Sequence, residues 1–141
     1  MYCTQADIES RFGVTELIQL TDRARTGVAD ATAIANAIDD AEAEIDGYLA
    51  GRYELPFSSV PPVLTRLSCD IALYHLFSAR RGGGVIEDVR NRYKDAVRVL
   101  ENISTGKITL GAPPAPAGRD DVVMLSSAPS VWSRNGVAAD E

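Results

Sequence analysis

The chain has 141 residues, which favours one domain, perhaps followed by a tail, over two separate cores. Apolar residues make up 45% and charged residues 24%, a composition typical of a folded globular protein. Fourteen basic against twenty acidic residues leave a net charge of −6, which argues against a protein that works mainly by neutralising nucleic-acid phosphates. Two cysteines and one histidine are too few for a disulfide framework or a zinc site.

The chain begins MYCTQAD, which lacks the basic start and apolar run of a secretory signal. The apolar run over 71–79 is far shorter than the ~18 residues that a bilayer needs. We therefore expect a soluble protein made in a reducing cytoplasm, with no membrane partner.

Two short helices are predicted first. Thr4 and Asp7 have the spacing of a capping box, and Gly13 ends the first helix after Phe12. The apolar content of 16–22 predicts a second short helix there, and 23–29 is predicted to be a loop.

The third helix is the clearest. Asp30 or Thr32 can cap its start, and proline at position 56 disfavours helix after it. Apolar side chains recur at three- and four-residue spacing along one stripe, namely Ile34, Ala37, Ile38, Ala41, Ile45, Tyr48 and Leu49.

A fourth helix opens at Pro61-Pro62 and is apolar on most faces up to Ala79, as the buried centre of a bundle would be. Its charges, Arg66 and Asp70, have the i,i+4 spacing of an ion pair. Three glycines at 82–84 form the next connection. The fifth helix ends at Gly106 and carries an apolar face, namely Ile86, Val89, Tyr93, Ala96, Val97, Leu100 and Ile103.

The short connections favour antiparallel neighbours, so the sequence predicts an all-α fold: a small antiparallel bundle of four to five helices over 1–106. Residues 107–110 could form a strand, and the proline- and glycine-rich stretch completes a linker over 107–118. Residues 119–141 are predicted to form an extended, partly strand-like tail whose apolar content suggests docking on a partner; the alternative is a frayed terminus. The candidates in this tail are Val122, Val123, Leu125, Val131, Trp132 and Arg134.

Charge is unevenly spread along the chain. Seven acids face a single arginine over 30–54, whereas seven bases outnumber four acids over 80–107. A chain with two opposite patches can bind a copy of itself. The candidates for such an interface are Asp39, Glu42 and Asp46 on the acidic helix and Arg90, Lys94 and Arg98 on the basic one. The basic row has two other interpretations: a solvated face, or contact with DNA phosphates, which Glu87 and Glu101 on the same side would weaken.

No catalytic constellation is predicted. On a helical wheel, Asp39, Glu42 and Asp46 lie on one side of the apolar stripe, and Asp40 and Glu44 lie on the other. Because these carboxylates do not converge, a solvated or interface face is favoured over a metal site, and no cofactor is expected.

His75 is interpreted as a hydrogen-bonded core histidine, because the sequence offers no partner that would make it a general base. Cys69 leaves the same helix about 120° away and is interpreted as a small core residue.

The stretch DAEAEIDGYLAGRYELPF, at 40–57, resembles the signature of Mu-like phage head–tail connector proteins. The opening also fits, with Tyr2-Cys3-Thr4 leading to Asp7, then Arg11-Phe12-Gly13 and LIQLTD at 17–22. So does PSVWSRNG at 129–136, where the family more often has phenylalanine at the place of Trp132.

The resemblance implies an adaptor, not an enzyme, that binds below the portal after DNA packaging and offers a docking surface for the tail. It implies a helical bundle with extended terminal segments, assembled as a ring in the neck of the virion. The implied partners are further copies, the portal, tail or stopper and terminator proteins, and non-specifically the DNA in the channel.

A rival from another class is a small helix-turn-helix regulator. That fold needs a recognition helix rich in exposed polar and basic groups. The most basic helix here is balanced by acids, and the whole chain is acidic.

Overall fold

The computed structural model describes residues 1–80 and 82–115, and these residues confirm the all-α prediction. Within them, β structure is limited to one isolated antiparallel bridge between Tyr53 and Pro114. Five helices pack together: α1 (Gln5–Phe12), α2 (Val14–Thr21), α3 (Ala31–Leu49), α4 (Pro62–Ala79) and α5 (Glu87–Ser104).

The predicted capping box is present at the start of α1. The Asp7 amide donates to the Thr4 hydroxyl at 3.3 Å, and the Asp7 carboxylate accepts from the Thr4 amide at 2.8 Å. Gly13 has φ +90°, a conformation that side chains rarely adopt, and so separates α1 from α2. The second helix begins two residues before the predicted start and ends at Thr21.

The start of α3 is capped by Asp30, whose carboxylate accepts from the amides of Thr32 at 2.9 Å and Ala33 at 3.2 Å. The predicted stripe is the buried face of this helix except at Tyr48, which is half-buried.

The central helix is α4, which packs against all four of the others. Its buried residues lie all round the helix, as the apolar sequence predicted. The predicted pair of Arg66 and Asp70 forms no salt bridge in the described structure. Burial raises the pKa of the Asp70 carboxyl, while Arg66, Arg92 and Arg11 act in the opposite direction.

The buried residues of α5 are Val89, Ala96, Leu100 and Ile103. Ile86 was predicted on this face, but this is wrong: its side chain is 53% exposed. Ile86 is the extended N-cap residue, so it lies before the first turn and off the helix face.

No strand forms over Lys107–Leu110, contrary to the expectation. The backbone bends instead, and the Ile108 amide donates to the Asn102 carbonyl at 3.1 Å. The Leu110 amide donates to the Tyr53 hydroxyl at 3.1 Å, and the Ala115 amide to the Arg52 carbonyl at 2.9 Å. These amides therefore bond to the bundle, not to a partner strand.

One cluster of buried apolar side chains runs through all five helices and includes Tyr2, Cys3 and Tyr53. None of the helices in the described part of the chain is long and apolar enough to span a membrane.

Candidate interaction surfaces

The acidic helix α3 directs its carboxylates to different partners. Glu42 contacts the amino group of Met1, and Asp46 accepts a hydrogen bond from the Tyr2 hydroxyl. Burial, followed by this hydrogen bond, raises the pKa of Tyr2 above its ordinary value. Asp39 is exposed and has no hydrogen-bond or salt-bridge partner among residues 1–80 and 82–115. Of the three predicted interface acids, two thus hold the N-terminal segment and one faces solvent.

The predicted basic residues of α5 are all exposed. Arg98 lies 3.6 Å from Asp95 in a surface ion pair, and Arg90 donates to the Val85 carbonyl at 3.5 Å. Exposed pairs of this kind contribute little stability. The row therefore remains available to a partner.

Glu44 is a site residue that the sequence reasoning missed. One of its oxygens accepts from the Tyr93 hydroxyl at 2.8 Å, and the other lies 3.3 Å from Nε2 of His75. The Tyr93 ring stacks on Tyr74, with centroids 4.0 Å apart and planes 12° apart. Through these two contacts, Glu44 on α3 connects its helix to α4 and α5.

His75 is hydrogen-bonded, as predicted, but its side chain is 28% exposed and lies at the edge of the core. The helical wheel placed Glu44 on a solvated edge because it considered α3 alone. One sequence feature does point to the cluster of Glu44, His75 and Tyr93: each of these polar residues borders the apolar face of its own helix. With both Glu44 oxygens engaged, the arrangement serves to tie helices together.

Tertiary packing brings the two cysteines together. Cys3 and Cys69 are both fully buried, and Ser68 donates to the Cys3 sulfur at 3.1 Å. The neighbouring Cys69 thiol and the Ser68 hydroxyl lower the pKa of Cys3, and together they outweigh burial, which raises it. The same contact, with burial, raises the pKa of Cys69. Cys69 is a core residue, as predicted, and it anchors the segment before α1 to the central helix.

The signature stretch ends in a loop, and the segment after α5 is hydrogen-bonded to it. Tyr53 is buried, and its ring lies 5.8 Å from that of Phe57, which lies 6.2 Å from Tyr2. A groove of about 590 Å³ runs between residues 54–62 and 110–113. The groove therefore lies between the loop of the signature stretch and the segment after α5.

The six candidates in the tail, from Val122 to Arg134, lie outside the described residues, and their role stays a prediction. Within the described ranges, no three His, Cys, Asp or Glu side chains are grouped so that they could hold a metal ion.

Comparison with known proteins gives a consistent result. The family described as "Bacteriophage Mu, Gp36" matches residues 2–124. The chain is 34% identical over 141 residues to "Mu-like prophage FluMu protein gp36" of Haemophilus influenzae, covering 96% of this chain and 94% of that protein. It is 35% identical over 137 residues to "Gene product J" of Escherichia phage Mu, covering 94% of each.

Proposed function

The chain belongs to the bacteriophage Mu Gp36 family, and from this premise we propose that it is a head–tail connector. It is a structural protein of the virion neck, assembled in the host cytoplasm. It binds below the portal after DNA packaging and provides the docking surface for the tail. Its partners are further copies of itself in a ring that matches the portal, the portal protein, and the tail or stopper and terminator proteins, with non-specific contact to DNA in the channel.

The observation that carries this proposal is the arrangement around the signature stretch. Its loop holds both the N-terminal segment, through the contact of Phe57 with Tyr2, and the segment after α5, through Tyr53 and Arg52. The chain beyond Ala115 thus departs from a fixed point on the bundle. A docking tail needs such a point, because a fixed origin reduces the conformational freedom lost on binding.

Charge on the surface supports assembly by contact between copies. The α5 row of Arg90, Lys94 and Arg98 is exposed, and Asp39 is exposed on α3. Opposite charges on different faces of one chain suit a head-to-tail interface, and such interfaces make rings when the rotation closes.

A helix-turn-helix regulator is less well supported. The two short helices joined at Gly13 have the right order for that motif, but the only charged residue of α2 is Glu16. A recognition helix with no basic residue gives little attraction to phosphates.

The proposal is tested with purified chain and tailless phage heads. We expect light scattering to show concentration-dependent assembly, and negative-stain images to show added density at the portal vertex. A chain that stays monomeric at high concentration and with purified portal would contradict the proposal. Turnover of a substrate that disappears when His75 is replaced would contradict a structural role.

The tail is tested by ending the chain at Gly118. We expect the shortened chain to fold but not to complete infectious particles, because the apolar residues proposed to dock are gone. Infectious particles completed by the shortened chain would show that the tail has no such role.

A further inference from the structure

Three arginines from three helices line one cleft. Arg11 of α1, Arg66 of α4 and Arg92 of α5 surround the half-buried Asp70, in a space of about 400 Å³ that Phe12 also lines. The guanidinium of Arg92 lies 5.8 Å from the centre of the Phe12 ring. These residues are far apart in sequence, so the cleft exists only in the folded protein.

The positive charge of the cleft is incompletely matched. Arg92 pairs with Asp88 at 3.1 Å, but Arg11 and Arg66 form no salt bridge with any described residue. Among the residues that line the cleft, Asp70 alone stands against three guanidinium groups, while Asp88 and Asp7 act on Arg92 and Arg11 from outside the lining. Each guanidinium presents up to five donors in a planar fork that suits a carboxylate or a phosphate.

The cleft opens on the side of α4 away from α3. His75 contacts Glu44 of α3, and Asp70 lies five residues before His75 on α4. At 100° per residue, the two side chains leave the helix about 140° apart. A partner bound in the cleft therefore contacts a different side of α4 from the one that His75 turns toward Glu44.

An acidic counterpart lies on α3. Asp39 and Asp40 are consecutive and exposed, leave α3 about 100° apart, and have no hydrogen-bond or salt-bridge partner in the described part of the chain. The net charge of −6 disfavours nucleic acid as the occupant of the cleft. Asp39 and Asp40 line other pockets than the cleft, and no salt bridge joins them to its three arginines among the described residues, so both groups are open to a second molecule.

We propose that the cleft of Arg11, Arg66 and Arg92 binds Asp39 and Asp40 of a second copy of this chain. The contact is head to tail and repeats in one direction, as a ring requires. The inference rests on the proposed function and deepens it, since it makes the cleft, not the α5 row, the counterpart of Asp39.

Charge reversal in the full-length chain tests this contact, with sedimentation velocity over a range of concentrations in low salt. We expect Arg66→Glu to weaken association by about tenfold or more, and Asp39→Lys with Asp40→Lys to do the same. Combining all three substitutions in one chain should strengthen association by about threefold over the chain with the two lysine substitutions alone, because the glutamate at position 66 attracts the new lysines while Arg11 and Arg92 still repel them.

Lys94→Glu makes the same charge change in the α5 row and tests that row as the alternative counterpart. Lys107→Glu is the matched control, because it makes this change at an exposed position outside both the cleft and the row. We expect both variants to leave association unchanged. Thermal unfolding shows whether each variant is folded; if Arg66→Glu is not, Arg66→Gln replaces it, with an expected weakening of about threefold.

The outcomes separate the two proposals. If Lys94→Glu weakens association and the Arg66 variants do not, the row is the counterpart; the inference is then wrong and the proposed function stands. Failure of the triple variant to recover part of the association would also overturn the pairing. An unaltered chain that never assembles, alone or on tailless heads, would remove both proposals.

Discussion

At the scale of single residues, the position of a carboxylate in the sequence does not reveal its role. Glu42, Glu44 and Asp46 follow one another at two-residue spacing, yet they contact Met1, His75 with Tyr93, and Tyr2. Each partner is more than thirty residues away. The acidic surface left for a partner is therefore smaller than the count of acids suggests.

Tyr93→Phe tests the Glu44 cluster. Burial, then the hydrogen bond to Glu44, raises the pKa of Tyr93 to about 12. Because the pKa of Tyr93 in the folded state lies above its ordinary value, the stabilisation that the protonated Tyr93 hydroxyl gives the fold is fully present below pH 10. It is lost as the pH rises through 12. We expect the variant to be less stable by about 1 kcal/mol at pH 7 in urea unfolding, and the difference to shrink toward pH 12.

Tyr74→Phe is the control, since the Tyr74 hydroxyl has no hydrogen-bond partner among the described residues while its ring stacks on Tyr93. It should change stability little at any pH. Equal losses in the two variants would mean that the hydroxyl bond to Glu44 contributes nothing specific.

At the scale of helices, local chemistry predicted most boundaries. The capping box of Thr4, the cap of Asp30 and the proline at position 62 all lie where the helices begin. The errors lie where a residue sits just beyond a helix: Ile86 follows the apolar spacing but precedes the first turn. Residues 107–110 suit a strand, but no neighbouring strand is available in the described structure to pair with them.

Asp30→Ala tests the cap of α3. The substitution removes the carboxylate that accepts from the amides of Thr32 and Ala33, leaving them without their capping partner. We expect a loss of about 1 kcal/mol in the free energy of unfolding, measured by urea denaturation. Asp39→Ala removes the same charge from the exposed middle of α3 and should change stability by less than about 0.5 kcal/mol. Similar losses in both would attribute the effect to charge, not to capping.

At the scale of the whole molecule, the segment after α5 was predicted as a linker, and its described part lies against the bundle. Leu110 and Ala112 pack against the core, and Tyr53 and Arg52 bind the backbone of this segment. Gly106, with φ +84°, turns the chain toward Arg52, and a β-carbon there would meet the Arg52 side chain. The described part of the linker, up to Ala115, is thus held against the helical bundle.

Two shortened chains test this coupling. Ending the chain after Gly106 removes three amide hydrogen bonds, donated by Ile108, Leu110 and Ala115, and the packing of Leu110, so we expect a loss of about 2 kcal/mol relative to the full chain. Ending it after Gly118 retains these contacts and should leave stability unchanged within about 0.5 kcal/mol. Urea unfolding of the three chains compares them, and equal stability of both shortened chains would show that residues 107–115 add nothing to the bundle.

The number of helices, their apolar faces and the central position of α4 follow from periodicity and capping, which depend on residues within a few positions of one another. The proximity of the free thiols of Cys3 and Cys69, the contacts of Glu44 with two other helices and the grouping of three arginines around Asp70 depend on how the helices pack. Side chains from different helices meet at angles and heights set by the core as a whole, and no local spacing encodes them. The bundle can therefore be predicted from short stretches of sequence, whereas the arrangement of side chains on its surfaces depends on how the assembled helices pack.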